Sequence, residues 1–182
     1  AAARLAELPS GFRVDARFHD REHAVEVELP LIQQAFAGVP VLPIEVAPDE
    51  HAPAVGQAVA KVVADLRLKP VFLASSDLTH YGPDYRFTPG GVGMQGLDWA
   101  KDNDRRVLDL IARLADEDVV GEVRARLNAC GAGAIAAMLA ACRQFGATSA
   151  EILRHTNSFE TLFHVAPQPP TNAVGYASAV VG

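Results

Sequence analysis

Residues Pro70–Ser75, PVFLAS, form a continuous apolar run, and the polar segment Ser75–Gly82, SSDLTHYG, follows it directly. An apolar run without alternation is typical of a strand that is buried on both faces of a parallel sheet. This run therefore restricts the chain to folds with a covered sheet. Ligands of open α/β sheets bind beyond the carboxyl ends of the strands. We therefore expect Asp77, His80 and Tyr81 at the mouth of a candidate site.

Helical and strand patterns alternate along the rest of the chain. Apolar residues at helical spacing predict helices over Asp49–Leu66, Leu97–Leu114 and Gly131–Phe145. Short apolar runs predict further strands over Val39–Val46, Glu151–Thr156 and Val174–Val181. This order predicts the α/β class, with one domain over residues 1–182 and a mostly parallel sheet flanked by helices.

Composition narrows the class of protein. The formal net charge is −6, so the chain lacks the overall basic character of a nucleic-acid-binding protein. Hydrophobic residues make up 49% and charged residues 21%, as in ordinary globular proteins. No apolar run approaches the ~18 residues of a membrane span. The two cysteines form no disulfide framework, and a cytoplasmic location is the simplest expectation.

Asp77 and His80 lie three residues apart in the turn after the apolar run. Histidine gains and loses a proton near neutral pH, and a nearby carboxylate can orient the ring, so the pair is a candidate for acid/base chemistry. The alternative is structural: Ser75, Ser76 and Asp77 would cap a short helical turn and leave His80 merely exposed.

Glu22, His23 and Glu26 belong to a predicted helix that begins with Asp20 as its N-cap. The pattern is not HExxH, because glutamate occupies the position of the second histidine, so a zinc-protease motif is excluded. The alternative to a functional role is an acidic helix start, which the helix dipole favours.

Cys130 precedes the alanine-rich helix predicted from Gly131. A cysteine at a helix N-terminus suits metal ligation or nucleophilic chemistry. The alternative is a small buried apolar residue, which is the commoner role of a free cysteine.

Four stretches together resemble the Memo-like family, whose bacterial and archaeal members are often labelled AmmeMemoRadiSam system protein B. They are EHAVEVELPLIQ (Glu22–Gln33), SSDLTHYG (Ser75–Gly82), ACG (Ala129–Gly131) and VGYASAVV (Val174–Val181). Their order and spacing also fit, so the resemblance covers nearly the whole chain.

The resemblance implies a three-layer fold related to class III extradiol dioxygenases, which use non-haem iron, and a pocket at the strand ends. Asp77 and His80 fall on the family's SSD-x-x-H motif. His80 would act there as the acid/base residue, and Asp77 would orient or polarise the reacting groups. Cys130 falls on a metal-ligand position, and iron(II) or copper(I) is the implied cofactor.

The resemblance also implies residues that shape the pocket. Glu22, His23 and Glu26 match the family's E-H-x-x-E helix, and Tyr81 belongs to the SSD-x-x-H segment. We expect all four to line or shape the pocket.

The family pattern contains a preceding segment with H-A-G-Y and P-S-H-H motifs, which supply two further histidines. Neither motif occurs in this sequence. The chain is therefore expected to correspond to the C-terminal two thirds of the pattern. Two alternatives follow: a fragment whose remaining segment completes the site, or a short form without a metal.

The resemblance implies three kinds of function. The first is a metal-dependent, oxidoreductase-like enzyme that acts on a small molecule or peptide. The second is a non-catalytic module that binds a peptide or protein. The third is a partner of AMMECR-like and radical SAM proteins in a modification system.

Overall fold

The computed structural model describes residues 1–8, 11–20, 22–165 and 169–182 of the chain. Within these residues the chain forms α-helices, three β-strands and two short 3-10 helices, Ala16–Phe18 and Pro83–Tyr85. In chain order the elements are α1 (Ala2–Ala6), α2 (Ala24–Ala35), α3 (Ala52–Asp65), β1 (His80–Tyr81), α4 (Met94–Ala112), α5 (Asp116–Arg126), α6 (Ala132–Gln144), β2 (Ala150–Asn157), α7 (Ser158–Leu162) and β3 (Ala173–Val181). In this described part of the chain, no helix combines the length and apolar character of a membrane span.

The helices predicted from apolar spacing are confirmed as α3, α4 and α6, with ends close to the predicted ones. Burial of their apolar faces explains why they form. Val107 of α4, Val119 of α5 and Leu139 of α6 are fully buried in one apolar cluster. The small residues of α6 allow close packing against α3, because any β-carbon at Gly56 would collide with the backbone of Ala137.

The three strands form one sheet in the order β1-β3-β2, and both pairings are antiparallel. His80 pairs with Val174 at one edge of β3, and β2 pairs along most of the other edge. The α/β class and the two C-terminal strands are confirmed. The mostly parallel, three-layer arrangement is not confirmed, because every strand pairing among the described residues is antiparallel.

Two predicted strands, Val39–Val46 and Pro70–Ser75, belong to no sheet of the described residues. Several of their apolar side chains are exposed, including Val71 at 68% and Leu73 at 58%. Apolar character indicates that a segment can be buried, but a strand also needs a neighbour that pairs with its backbone groups. The described residues do not supply that neighbour.

The helix predicted to begin at Asp20 starts later. His23 occupies the N-cap position and α2 begins at Ala24. The Glu22 carboxylate accepts a hydrogen bond of 3.0 Å from the Val25 N–H, so it satisfies a backbone donor of the first turn. Arg21, which belongs to the predicted helix start, lies outside the described residues.

Candidate functional site

The start of α6 is held against the segment that leads into β1. The Cys130 N–H donates to the Asp77 carbonyl at 3.0 Å, and the Gly131 N–H donates to Ser76 Oγ at 2.8 Å. In return, the Asp77 N–H donates to Cys130 Sγ at 3.2 Å. A β-carbon at Gly131 would lie 2.6 Å from the Ser75 carbonyl oxygen, so this approach requires glycine. Two segments that are distant in sequence therefore meet at one point.

His80 reaches the same point because the chain pairs with β3 as it leaves the turn. The Leu78 N–H donates to the Gly175 carbonyl at 2.9 Å, and the Gly175 N–H donates to the Thr79 carbonyl at 3.0 Å. Leu78 also forms an isolated antiparallel bridge with Ala129, next to Cys130. These pairings fix the backbone on both sides of the turn.

Asp77, His80 and Cys130 thereby form a cluster in which one donor atom from each residue lies within 4.8 Å of the others. Asp77 Oδ2 is 3.4 Å from His80 Nε2, and both side chains are about two-fifths exposed, at 42% and 40%. The His80 Nε2 atom itself is buried and has no hydrogen-bond partner among the described residues. Carboxylate, imidazole and thiol groups together can ligate a transition metal.

A cavity of about 250 Å³ lies beside this cluster. Its chemically reactive walls are His80 and Cys130; the remaining walls are apolar or aromatic, and they are Leu78, Tyr85, Phe87, Leu127 and Ala129. The Tyr85 ring lies 5.0 Å from the His80 ring, centroid to centroid. This open, mainly apolar cleft with two reactive groups at one side is of the kind that can receive a small ligand.

Tyr176 adds a phenol near the cluster. Partial burial raises the pKa of Tyr176, and the negative charge of Asp77 raises it further. The phenol therefore keeps its proton and can donate a hydrogen bond. The VGYASAVV motif contains this residue, but the sequence alone gave it no role.

A larger groove of about 560 Å³ lies between residues 70–76 and the end of β3. Its walls are almost entirely apolar, and Cys142 is the one titratable side chain among the described residues that line it. Burial raises the pKa of the Cys142 thiol, which makes that thiol a poor nucleophile or ligand. Chemistry, rather than volume, therefore favours the smaller cavity as the candidate site.

The other residues expected to line or shape the pocket are not among the described residues that line this cavity. Glu22, His23 and Glu26 surround the start of α2 and are not among the described residues that line the cavity. Tyr81 is fully buried behind the site, where its hydroxyl donates to the Gly93 carbonyl at 3.1 Å. Their part in shaping a pocket stays a prediction.

Tyr85 and Phe87 are lining residues that sequence reasoning missed. Both belong to the loop that follows SSDLTHYG, which is rich in glycine and proline. Long loops of this kind are often functional, so the length and composition of the loop indicated a functional segment. Nothing in its sequence indicated which side chains turn towards His80.

Comparison with known proteins supports one family. A family profile described as Memo-like protein matches residues 3–180. The MEMO1 family protein of Methanosarcina barkeri is 36% identical over 174 residues, covering 92% of this chain and 58% of that protein. The MEMO1 family protein of Pyrococcus furiosus is 33% identical over 192 residues, covering 99% of this chain and 63% of that protein. The chain thus spans about three fifths of the length of these curated relatives.

Proposed function

This chain belongs to the Memo-like protein family, and we propose that it carries the metal-binding part of an oxidoreductase-like site related to that of the class III extradiol dioxygenases. The observation that carries the proposal is the convergence of Asp77, His80 and Cys130, whose donor atoms lie within 4.8 Å of one another. The substrate would be a small molecule or peptide group that enters the adjoining cavity.

The residues present fit a metal by their chemistry. The Cys130 sulfur and the His80 imidazole favour copper(I) or iron(II), and the Asp77 carboxylate adds a harder oxygen ligand. The buried Nε2 atom of His80 lies 3.4 Å from Asp77 Oδ2 but forms no hydrogen bond among the described residues, so it is available to a ligand. Buried polar atoms without partners are rare in folded proteins and call for an explanation, which a metal would supply.

When bound, iron(II) or copper(I) would supply one-electron redox chemistry that no side chain of this cluster provides. Asp77, His80 and Cys130 would hold the metal beside the cavity. The walls Tyr85, Phe87 and Leu127 would contribute the apolar surface against which a substrate packs.

Two assignments of His80 make different predictions. In the first, His80 is a ligand, and His80→Ala weakens metal binding strongly. In the second, which the family resemblance implies, Cys130 holds the metal and His80 transfers a proton. Under the second assignment His80→Ala leaves metal affinity nearly unchanged.

The test is titration of the reduced chain with cobalt(II) under anaerobic conditions. We expect one equivalent to bind, with a near-ultraviolet band from thiolate-to-cobalt charge transfer. Cys130→Ser should abolish the band, whereas Cys142→Ser is the matched control and should retain it, because that thiol is remote from the cluster on α6. Absence of binding, or a band that depends on Cys142, would overturn the proposal.

A second candidate function is binding without turnover. The aromatic walls at Tyr85 and Phe87 favour this alternative, because they suit an apolar or aromatic side chain of a peptide. A peptide whose affinity falls in Tyr85→Ala and Phe87→Ala, but not in Cys130→Ser, would favour the binding module over the enzyme.

A further inference from the structure

A buried carboxylate lies behind the candidate site and is not part of it. Asp104 of α4 is only 1% exposed. One of its oxygens, Oδ1, accepts the Thr79 N–H at 2.8 Å, and the other, Oδ2, lies 2.9 Å from His155 Nε2. Asp104 therefore joins α4, the residue before β1 and strand β2 through one side chain.

Asp104 is buried, and both of its carboxylate oxygens have a polar partner. A buried carboxylate is costly unless it is hydrogen-bonded. Burial raises the pKa of Asp104, whereas the hydrogen bonds from Thr79 and His155 act in the opposite direction. Gly175 of β3 lies so close that a β-carbon there would collide with Asp104 Oδ2 and approach Leu78. The packing of β3 thus leaves space for this carboxylate.

The backbone N–H, the carbonyl and the hydroxyl of Thr79 are all hydrogen-bonded. Its N–H donates to Asp104 and its carbonyl accepts from Gly175, while its hydroxyl accepts from Asn103 Nδ2 at 3.1 Å. His80 and Tyr81 form strand β1 and pair with Val174 and Ala173 of β3, and Thr79 directly precedes them. The hydrogen bonds of Thr79 therefore act together with the pairing to β3 to fix the direction in which His80 leaves the backbone.

We propose that Asp104 and His155 form a positioning pair that aims His80 at Asp77 and Cys130. Asp104 accepts a hydrogen bond from the amide of Thr79, the residue before His80, and its second oxygen is hydrogen-bonded to His155. Lys101 of α4 and Glu160 of α7 form an ion pair of 2.6 Å next to the Asp104–His155 pair. The negative charge of Glu160 acts on His155, and the positive charge of Lys101 partly neutralises that negative charge. This inference rests on the proposed function, because it assigns a role to residues behind the same site.

Two substitutions of Asp104 distinguish the effect of losing its hydrogen bonds from the effect of losing its charge. Asp104→Ala removes both hydrogen bonds, and we expect cobalt(II) affinity to fall by at least about tenfold, the range seen when groups that orient ligands are lost. Asp104→Asn should restore most of that affinity. Its amide oxygen can accept the Thr79 N–H, and its amide nitrogen can donate to the other tautomer of His155.

Asp116→Ala is the matched control, since it also removes a buried carboxylate but on α5, where the partner is Arg143. We expect it to destabilise the fold without changing cobalt(II) affinity. If Asp104→Ala and Asp116→Ala weaken affinity equally, Asp104 acts only through stability and the inference is wrong.

The second readout is hydrogen exchange at the Thr79 amide in the metal-free chain. In His155→Ala, a milder change that serves if Asp104→Ala fails to fold, we expect this amide to exchange faster while amides of α6 keep their protection. Unchanged exchange at Thr79 would overturn the inference. If the parent chain binds no cobalt(II), the proposed function fails, and exchange at Thr79 alone decides the role of the pair.

Discussion

At Gly131 the chain has no room for a β-carbon, because the Ser75 carbonyl and the Ser76 side chain occupy the space. We therefore expect Gly131→Ala to push the start of α6 away from the turn and to separate Cys130 from Asp77. Cobalt(II) affinity should fall by about tenfold or more, the effect expected when ligands are misoriented. A titration that gives the parent affinity would contradict this geometry.

The control for that substitution is Gly121→Ala in the middle of α5. A β-carbon at Gly121 meets nothing within 4 Å. Alanine is the better helix former, so we expect the free energy of unfolding to rise by about 0.5–1 kcal/mol, with metal affinity unchanged. Chemical denaturation of both variants separates the effect of the site from the general effect of adding a methyl group.

Residue types and local position are enough to select some site residues but not others. Asp77, His80 and Cys130 could be predicted as candidates because they follow an apolar run or precede a helix. Asp104 and His155 lie 51 residues apart in the sequence. No local pattern links them, since their pairing depends on how α4 packs against β2.

At the scale of elements, one ion pair connects α5 to α6. Asp116 is 2% exposed, whereas its partner Arg143 is about half exposed. Arg143→Met keeps an unbranched side chain similar to the aliphatic part of arginine but leaves the buried carboxylate without its cation. We expect the free energy of unfolding to fall by about 1–3 kcal/mol, the cost of an unsatisfied buried polar group.

Arg105→Met is the matched control, because Arg105 pairs with Asp102 within α4 and both side chains are more than 60% exposed, at 62% and 69%. Exposed pairs contribute little, so we expect a change below about 1 kcal/mol. Equal losses in the two variants, measured by urea denaturation, would mean that burial of Asp116 does not matter.

The helices were more predictable than the strands, and the reason is physical. A helix satisfies its own backbone, so the apolar spacing of α3, α4 and α6 sufficed to predict them. A strand needs a neighbouring strand to pair with, and the local sequence does not indicate which segment that is. The segments Val39–Val46 and Pro70–Ser75 have strand-like composition but no pairing partner among the described residues. Whether the strands run parallel or antiparallel could not be predicted either, because that depends on which segments pair.

At the scale of the whole molecule, buried and exposed carboxylates affect the pH dependence of stability in opposite directions. The hydrogen bond from Lys101 lowers the pKa of Glu160. Glu160 therefore stabilises the fold above its ordinary pKa, and this contribution is lost as the pH falls. Asp104 behaves in the reverse way, because burial raises its pKa above the ordinary value of 3.8.

Between pH 3.8 and the higher pKa that it has in the folded chain, Asp104 binds more protons in the folded chain than in the unfolded chain. Asp104 therefore contributes less to the free energy of unfolding as the pH rises through this interval. Asp104→Asn removes the titration while retaining hydrogen bonds to Thr79 and His155. We expect its stability relative to the parent to increase with pH across the interval and then to level off.

Urea denaturation of both proteins at a series of acidic to neutral pH values measures this difference. Glu160→Gln provides a control of opposite sign, since its stability relative to the parent should decrease as the pH rises. A relative stability of Asp104→Asn that stays flat or falls with pH would mean that the folded chain does not raise the pKa of Asp104. The carboxylate would then be better solvated than its burial between α4, β2 and β3 implies.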